Sequence, residues 1–354
     1  MSKQIVVVGA GVIGLSTALV LAEAGYNIVV VASHFHEDGF SSGYTSLWAG
    51  AHFRPFPSKS KTEFTESKLA RETLNHFKTL ERLRPDASVR SCWGYDYVEE
   101  PAVGYVGEAK GYSEGIDDYQ ILDPSSIDNV PRPLKFAARY RTWTLNPSLY
   151  LSYMFRALQI RYGATFVKAK LNTLREAFEL FPDAAGVVNA TGMGLQWNGG
   201  YDPDCFPIRG QTLLVRPPLP CPYEDKTITH QSSDGLWTFV IPRPLDGGMI
   251  VGGTKQPKDF QESPRDEDTR AITERARVLF PELFTDDGKL DIIKINVGFR
   301  PARASGVRIE LEKVGQGRFL VHAYGLGGSG YEMSHGVAKR VHQLIKTRVS
   351  NGRL

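Results

Sequence analysis

Short apolar runs alternate with amphipathic stretches along this chain, and the alternation predicts an α/β fold. Residues 4–8 form an apolar run of strand length, and residues 28–32 form a second, β-branched run. Between them, residues 12–24 carry apolar side chains at helical spacing and stop at Gly25, a residue type that commonly ends helices. Parallel strands are buried on both faces, so unbroken apolar runs of this kind predict a βαβ unit.

The rest of the chain continues to mix helical and strand patterns. Residues 92–143 are rich in aromatic residues, glycine and proline, which predicts short strands and loops of a second domain. The other apolar patterns predict helices over 64–84, 146–162, 267–280 and 331–349, and strands over 164–168, 187–192, 212–215, 237–241, 249–252 and 319–322.

Length and composition limit the classes of protein that fit. At 354 residues the chain exceeds a typical single domain of about 100–200 residues, so two domains are expected. The net charge of +3 is small and evenly spread, which argues against nucleic-acid binding and is compatible with handling anions. No run reaches the roughly 18 apolar residues of a membrane helix, so neither a membrane span nor a signal peptide is expected.

The cysteines and the last residues bear on the cellular compartment. Cys92, Cys205 and Cys221 form no CxxC pair and no Cys/His ligand spacing, so we expect reduced thiols in an intracellular protein and no metal site. The final tripeptide, residues 352–354, loosely resembles the C-terminal peroxisomal signal, which is usually Ser-Lys-Leu. Glycine in place of serine departs from that signal, and a frayed tail is the alternative.

A glycine-rich turn after the first apolar run predicts a dinucleotide site. In the sequence G-x-G-x-x-G, Gly9 permits the tight turn, Gly11 lets the backbone approach a pyrophosphate and Gly14 allows close helix–strand packing. The acidic residue that often ends the second strand is absent, and Ser33 offers a hydroxyl for the ribose instead. At this stage both NAD and FAD fit. The predicted contacts are Gly9, Ala10, Gly11, Val12, Ile13, Gly14 and Ser33.

Two further segments resemble cofactor-binding loops. Hydroxyl and backbone donors cluster just before the segment 47–50 and suit pyrophosphate or flavin contacts, with an ordinary polar loop as the alternative. Residues 188–192 resemble the Ala-Thr-Gly turn of FAD-dependent oxidoreductases, which favours FAD over NAD. The additional predicted contacts are Ser41, Ser42, Thr45, Ser46, Gly50, Ala51, Leu171, Thr191 and Gly192.

Three long motifs make the resemblance specific. Residues 320–330, followed by Gly336 and Ala338, resemble the signature of the D-amino-acid oxidase family, which includes D-aspartate oxidases. Residues 296–301 resemble its Val-Gly-Leu-Arg-Pro motif, and residues 239–243 followed by 252–254 resemble a third hallmark. The order and spacing match from residue 4 to about residue 340, so the resemblance covers nearly the whole chain.

The resemblance implies a fold and a cofactor. It implies an FAD-binding Rossmann-type domain, built from residues 1–50, 146–205 and 295–354, with an interleaved mixed-sheet substrate-binding domain, built from residues 51–145 and 206–294. It leaves a homo-oligomer open. The FAD contacts that it adds are Arg300, Gly325, Gly327, Gly328, Ser329, Gly330 and Tyr331.

The resemblance also implies the reaction. In this family a hydride passes from the Cα of a D-amino acid to flavin N5, and O₂ then reoxidises the flavin to give hydrogen peroxide, a 2-oxo acid and ammonia. Arg300 is predicted to clamp the α-carboxylate through a planar two-point contact, and the Gly328 carbonyl to accept from the substrate amine. Phe239 stands where many members carry tyrosine, so the clamp loses a hydroxyl.

Three basic residues suggest an acidic substrate. Lys255 lies in a segment whose counterpart in D-aspartate oxidases looks like Gly-Gly-Thr-Arg-Gln. His52 and Arg54 lie in the segment 49–55, which resembles the strand that lines the side-chain end of the substrate pocket. A cation in such a pocket is costly to desolvate without an anion, which predicts D-aspartate or D-glutamate as substrate. The alternatives are a D-amino-acid oxidase of broad or neutral specificity, and an FAD-binding scaffold without turnover. For the three basic residues, the alternatives are that Lys255 points into solvent, that Arg54 forms an external salt bridge and that His52 is a hydrogen-bonded histidine of the core.

Overall fold

The computed structural model describes residues 3–106, 111–315 and 317–351. The final tripeptide, residues 352–354, which loosely resembles a peroxisomal signal, lies outside the described residues. The chain forms two compact units, and the assignment of one to the cofactor and the other to the substrate stays a prediction. The first unit comprises Met1–Leu47, Ser148–Ile208 and Arg300–Leu354, and the second comprises Trp48–Pro147 and Arg209–Phe299.

Helices and strands alternate along most of the described chain. The helices are α1 Val12–Glu23, α2 Lys61–Leu83, α3 Val103–Val106, α4 Pro147–Arg156, α5 Arg175–Leu180, α6 Asp266–Leu279 and α7 Gly330–Asn351. The strands are β1 Gln4–Val8, β2 Asn27–Ala32, β3 Val89–Val98, β4 Gln120–Leu122, β5 Phe136–Leu145, β6 Thr165–Lys168, β7 Gly186–Asn189, β8 Cys205–Val215, β9 Lys226–Gln231, β10 Trp237–Pro242, β11 Met249–Gly252, β12 Gln256–Pro257, β13 Ile292–Arg303, β14 Arg308–Lys313 and β15 Phe319–Tyr324.

The first unit is built on a mostly parallel sheet with the strand order β14-β15-β7-β1-β2-β6. The central strand β1 pairs in parallel with β2 and β7, so that Val6 lies between Val29 and Val187. These three valines are at most 3% exposed, and helices α1 and α7 pack against each other beside the sheet. The N-terminal βαβ prediction is confirmed, because buried parallel strands need apolar side chains on both faces.

The second unit contains a mixed sheet with the order β12-β8-β11-β10-β9-β3-β5-β4, and β13 pairs with β8. Helix α6 packs on β10 and β11 and covers an apolar core that includes Val240, Val251 and Ile272. Side chains alternate along a strand, so the β10 face opposite Val240 carries Trp237 and Phe239. We call the residues Trp237 and Phe239 the aromatic face.

The prediction of short strands and loops over 92–143 is confirmed for its middle part and was wrong at its two ends. Two ten-residue strands, β3 and β5, pair there antiparallel from Val89 opposite Leu145 to Val98 opposite Phe136. Gly94, one of the glycines that suggested loops, lies within this pairing. A Cβ placed on Gly94 would lie 2.5 Å from the ring of Tyr140 on the neighbouring strand.

The other predicted elements differ from the structure mainly at their ends. The predicted helix over 146–162 ends as α4 at Arg156 and continues as a π-helix over Ala157–Arg161. Strands β9, β12, β13 and β14 and helix α5 were not predicted. No helix in the described part of the chain has the length and apolar character needed to cross a membrane.

Candidate functional site

The predicted cofactor segments gather at one edge of the first unit. Strands β1, β2, β6, β7 and β15 are mutually parallel, so their carboxyl ends share an edge of the sheet. The glycine turn follows β1, Ser33 follows β2, Leu171 follows β6, Thr191 follows β7 and Gly325 follows β15. Open α/β sheets bind ligands at this edge, so the fold places these segments where a cofactor is expected.

The glycine turn leaves no room for side chains. Gly9 has φ +110°, and its amide donates to the carbonyl of Val31 at 2.8 Å. A Cβ on Gly9 would lie 2.4 Å from the carbonyl oxygen of Ala190, and a Cβ on Gly14 would lie 1.8 Å from that of Gly9. The two glycines therefore let β1, β7 and α1 approach as closely as they do.

The N-terminus of α1 suits an anion. Its N-cap residue, Gly11, offers no side-chain cap, and the first turn, which includes Val12 and Ile13, contains no acidic residue. The Val12 amide donates to Ser46 Oγ at 3.0 Å. The positive end of a helix dipole without an acidic neighbour attracts a phosphate, as the turn predicts.

Two hydroxyl groups hold the segment 41–46 beside this helix start. The Tyr44 hydroxyl donates to the Ala10 carbonyl at 2.7 Å, and the Tyr331 hydroxyl donates to the Ser46 carbonyl at 2.9 Å. Tyr331 stands in the first turn of α7, so α7, the segment 41–46 and α1 meet at one place in the first unit. The predicted residues Ser41, Ser42 and Thr45 belong to the same segment.

The loop after β15 is joined to the loop after β7. The Gly325 amide donates to the Gly192 carbonyl at 3.1 Å, and the Gly327 amide donates to the Pro301 carbonyl at 2.8 Å. Three of the motifs singled out in the sequence thus meet within the first unit. The remaining predicted residues of this loop, Ser329 and Gly330, lead directly into α7.

Arg300 lies beside Gly328. A Cβ on Gly328 would lie 3.7 Å from Cδ of Arg300, so the predicted carboxylate clamp and the predicted amine acceptor are neighbours. Burial lowers the pKa of the Arg300 guanidinium from its usual value. The guanidinium still remains charged at neutral pH, and a bound anion would relieve the cost of its burial.

Other predicted cofactor residues have partners of their own. The Thr191 hydroxyl donates to Asn189 Oδ1 at 2.8 Å and accepts from the Leu195 amide at 2.8 Å, so it holds the turn after β7. Ser33 is exposed, with its hydroxyl 3.0 Å from Nδ1 of His34. Leu171 packs against the apolar core of the first unit.

Gly50 and Ala51 lie in the second unit, where an arginine holds their strand-like segment. The Arg243 guanidinium donates from Nε to the Gly50 carbonyl at 2.7 Å and also donates to the Ala49 carbonyl. Arg243 is buried, with 6% of its surface exposed. Sequence analysis missed this role, although Arg243 ends one of the motifs that carried the resemblance.

The aromatic face of the second unit carries the predicted Phe239. A Cβ on Gly252 would lie 2.4 Å from Cζ of Phe239, and one on Gly253 would lie 3.1 Å away. The Phe239 ring therefore lies across two glycines, which provide the space for it. Having no hydroxyl, Phe239 offers this face an apolar surface only.

Arg54 forms a buried ion pair. Its Nε donates to Asp96 Oδ1 at 2.6 Å, and the two side chains are 2% and 0% exposed. Its Nη2 donates to the Tyr105 hydroxyl at 3.2 Å, while the hydroxyls of Tyr112 and Tyr140 donate to Asp96 at 2.9 and 3.3 Å. The protein itself supplies the counter-charge that the sequence had assigned to a substrate.

Two cations share one indole. The Cζ of Arg54 lies 4.8 Å from the centre of the Trp237 ring, and Nζ of Lys255 lies 5.9 Å from it. Phe56 stacks on Trp237 at 5.4 Å, with 19° between the ring planes. Lys255 is exposed and forms no ion pair with a carboxylate of the described residues.

The surroundings of His52 favour the alternative of a core histidine over the predicted cation. Its Nδ1 lies 2.8 Å from the Thr227 hydroxyl. Burial and the nearby charge of Arg54 lower the pKa of His52 to about 3. The lowered pKa favours the neutral imidazole, which offers no charge to a substrate carboxylate.

The neutral state of His52 predicts an acid-labile contribution to stability. The pKa of this group is lower in the folded chain than in the unfolded chain, so the unfolded state binds the proton first as the pH falls. Between pH 6 and pH 4.5, wild type should lose about 2 kcal/mol more unfolding free energy than His52→Gln. Urea unfolding at both pH values measures this, and parallel losses in the two proteins would contradict it.

Comparison with known proteins decides the family. The family model DAO, described as FAD dependent oxidoreductase, matches residues 4–344. The chain belongs to the family of FAD-dependent oxidoreductases. A D-aspartate oxidase of Talaromyces thermophilus is 36% identical, with 98% of this chain and 95% of that protein aligned. A D-amino-acid oxidase of Schizosaccharomyces pombe is also 36% identical, with 95% and 94% aligned.

Solved structures show the same fold. Glycine oxidase from Bacillus cereus superposes with a TM-score of 0.69 at 17% identity, covering 98% of this chain and 96% of that one. The predicted α/β fold is confirmed. FAD is the cofactor of this oxidoreductase family, and the first unit fits it, because the Gly9–Gly14 turn excludes side chains beside an α1 N-terminus that favours phosphate.

Sequence analysis missed three residues of these sites. Asp96 had no signal, because nothing near it in the chain indicates a buried acid. Trp237 stands two positions before Phe239, and strand alternation alone would have placed the two on one face. Tyr44 lies inside the polar cluster that was predicted, and its role depends on the carbonyl of Ala10.

Proposed function

We propose that this FAD-dependent amino acid oxidase acts on an acidic D-amino acid, D-aspartate or D-glutamate, and forms the 2-oxo acid, ammonia and hydrogen peroxide. When bound, FAD supplies a two-electron acceptor that O₂ can reoxidise. The proposed specificity rests on Lys255, an exposed cation on the aromatic face that has no carboxylate partner in the described chain.

The charges on this face are unequal. Arg54 and Lys255 both approach Trp237, and Asp96 is the carboxylate that pairs with Arg54. One positive charge is therefore left over, and a second carboxylate would balance it. An acidic D-amino acid brings that carboxylate on its side chain, and the similarity to a D-aspartate oxidase supports the same substrate class.

The remaining roles follow from the chemistry of the residues. In this proposal Arg300 holds the α-carboxylate, because a planar guanidinium can donate to both oxygens at once. The Gly328 carbonyl, next to Arg300, accepts a hydrogen bond from the amine. Phe239 contributes an apolar ring to the aromatic face of the second unit. These contacts orient the substrate, and no protein base has to remove the Cα proton.

The test is peroxide release by the purified holoenzyme with D-aspartate, D-glutamate, D-alanine, D-methionine and L-aspartate. A preference for an acidic D-substrate of tenfold or more in kcat/KM, about 1.4 kcal/mol, is expected. No turnover of L-aspartate is expected. A yellow protein that releases no peroxide with any D-amino acid would instead indicate an FAD-binding scaffold.

One alternative function has structural support. The lowered pKa of His52 favours its neutral form and Arg54 already pairs with Asp96, which argues against a role for these two residues in selecting an acid by charge. A D-amino-acid oxidase of broad or neutral specificity fits that observation and the similarity to the Schizosaccharomyces pombe enzyme. A lead for D-alanine or D-methionine in the same assay would favour it.

Lys255→Met should lower kcat/KM for D-aspartate by about tenfold, as expected for the loss of a partly solvated charge pair of roughly 1–1.5 kcal/mol. The value for D-alanine should change less than twofold. Lys226→Met is the matched control, because Nζ of Lys226 also lies 5.9 Å from an aromatic ring, that of Tyr223. Equal losses with both substrates would remove Lys255 from substrate selection.

A further inference from the structure

The ammonium of Lys255 has one partner among the described residues, the indole of Trp237. The distance from Nζ to the ring centre is 5.9 Å, within the range of a cation–π contact. A lysine side chain has four rotatable bonds, and ordering them on binding opposes affinity. A ring that already holds the ammonium reduces this entropy loss when an anion binds.

Trp237 contacts two neighbouring side chains. The Phe56 ring stacks on it at 5.4 Å with only 19° between the planes, and the Arg54 guanidinium lies 4.8 Å from its centre. Arg54 also lies 4.6 Å from the centre of the Phe56 ring. The three groups therefore form one cluster, in which the contacts with Arg54 and Phe56 restrain the indole.

A buried network fixes this cluster in turn. Asp96 and Tyr105 bind the Arg54 guanidinium at 2.6 and 3.2 Å. The Tyr105 hydroxyl also accepts from Nε2 of Gln231 at 2.9 Å, and Gln231 is the strand partner of Trp237 across β9 and β10. These contacts lead from Trp237 through Arg54 and Tyr105 to Gln231, which pairs with Trp237 in the sheet.

We propose that Trp237 is a positioning residue that determines specificity. Its indole, fixed by Arg54 and Phe56, orients the Lys255 ammonium toward the side-chain carboxylate of an acidic D-amino acid. In this arrangement Arg54 holds the indole in place and does not bind the substrate carboxylate. The inference rests on the proposed function and names the residue through which Lys255 selects an acid.

A double-mutant cycle on the holoenzyme tests the inference with D-aspartate and D-alanine. W237L should raise KM for D-aspartate three- to fivefold, or ~0.6–1 kcal/mol, and KM for D-alanine less than twofold. W237F keeps an aromatic ring and should stay within twofold of wild type for both substrates. In the K255M background, W237L should raise KM for D-aspartate no further, because the ammonium that it positions is gone.

The controls separate positioning from general packing. W93L removes another indole of the same unit, which contacts Arg141 at 3.8 Å, and should leave the D-aspartate to D-alanine ratio of KM values unchanged. If W237L does not fold, F56L is the second variant, because it removes the exposed ring that stacks on Trp237. It should give the same selective rise in KM for D-aspartate. An equal rise for both substrates, or the full rise in the K255M background, would overturn the inference.

The failure of this inference differs from the failure of the proposed function. If wild type prefers D-aspartate but the changes at Trp237 and Lys255 act independently, only the positioning role is lost. If wild type prefers D-alanine, the acidic specificity itself is wrong. In that case the positioning role is overturned with it.

Discussion

Arg300→Ala should lower kcat/KM by about 10²–10³-fold for every D-amino acid that the enzyme oxidises. The α-carboxylate is common to all of these substrates, and removing one partner of a buried, hydrogen-bonded charge pair costs ~3–4 kcal/mol. The structure adds the reason that the loss is general. Arg300 lies against Gly328, so its removal disturbs the place where the amine is expected as well. Steady-state peroxide assays with D-aspartate and D-alanine measure the effect.

Two variants control this experiment. Arg300→Lys keeps the charge but loses the planar fork, and should fall between wild type and Arg300→Ala. Arg216→Ala removes a surface guanidinium that is 72% exposed and pairs with Asp291, and should change kcat/KM less than twofold. If Arg300→Ala retained activity close to wild type, another residue would have to hold the α-carboxylate.

Gly14→Ala should release FAD, with a loss in affinity of roughly 100-fold or more, or ~2.7 kcal/mol. The added Cβ would lie 1.8 Å from the Gly9 carbonyl oxygen, and a backbone atom cannot move aside as a flexible side chain can. Helix α1 must therefore shift away from the turn, and its N-terminus leaves the place where it attracts phosphate. The flavin absorbance of the purified protein and a fluorescence titration of the apoprotein with FAD measure the effect.

Gly25→Ala is the matched control for this prediction, since Gly25 follows the other end of α1. Its φ of +88° makes alanine unfavourable by ~1–2 kcal/mol, but no heavy atom lies within 4 Å of the added Cβ. This variant should be less stable than wild type and still bind FAD with unchanged affinity. FAD binding of wild-type strength in Gly14→Ala would show that the turn is not the pyrophosphate site.

Much of the first unit could be predicted from the sequence. The strand, glycine turn and helix over residues 4–24 follow from side-chain periodicity and from the special backbone freedom of glycine. Both properties depend on residues that are neighbours in the chain. The structure places the turn at the carboxyl edge of a parallel sheet, where that local pattern had implied it.

The long strands β3 and β5 could not be predicted in the same way. Their aromatic residues and glycines suggested loops, because the partner of each residue lies far along the chain. Gly94 makes sense only beside the ring of Tyr140, which the antiparallel pairing brings against it. Register between distant strands is a property of the sheet, and no local pattern specifies it.

The family and the cofactor could be predicted from the sequence alone, because each motif that indicates them is continuous in the chain. Which of the three predicted cations is available to an anion depends on contacts between residues that are far apart in the chain. Asp96, distant from Arg54 in the chain, neutralises it, and burial beside that arginine keeps His52 uncharged. Lys255 is exposed and has no carboxylate partner among the described residues. The physical reason is that charge and availability depend on burial and on neighbours in space, and those neighbours exist only once the sheet has formed.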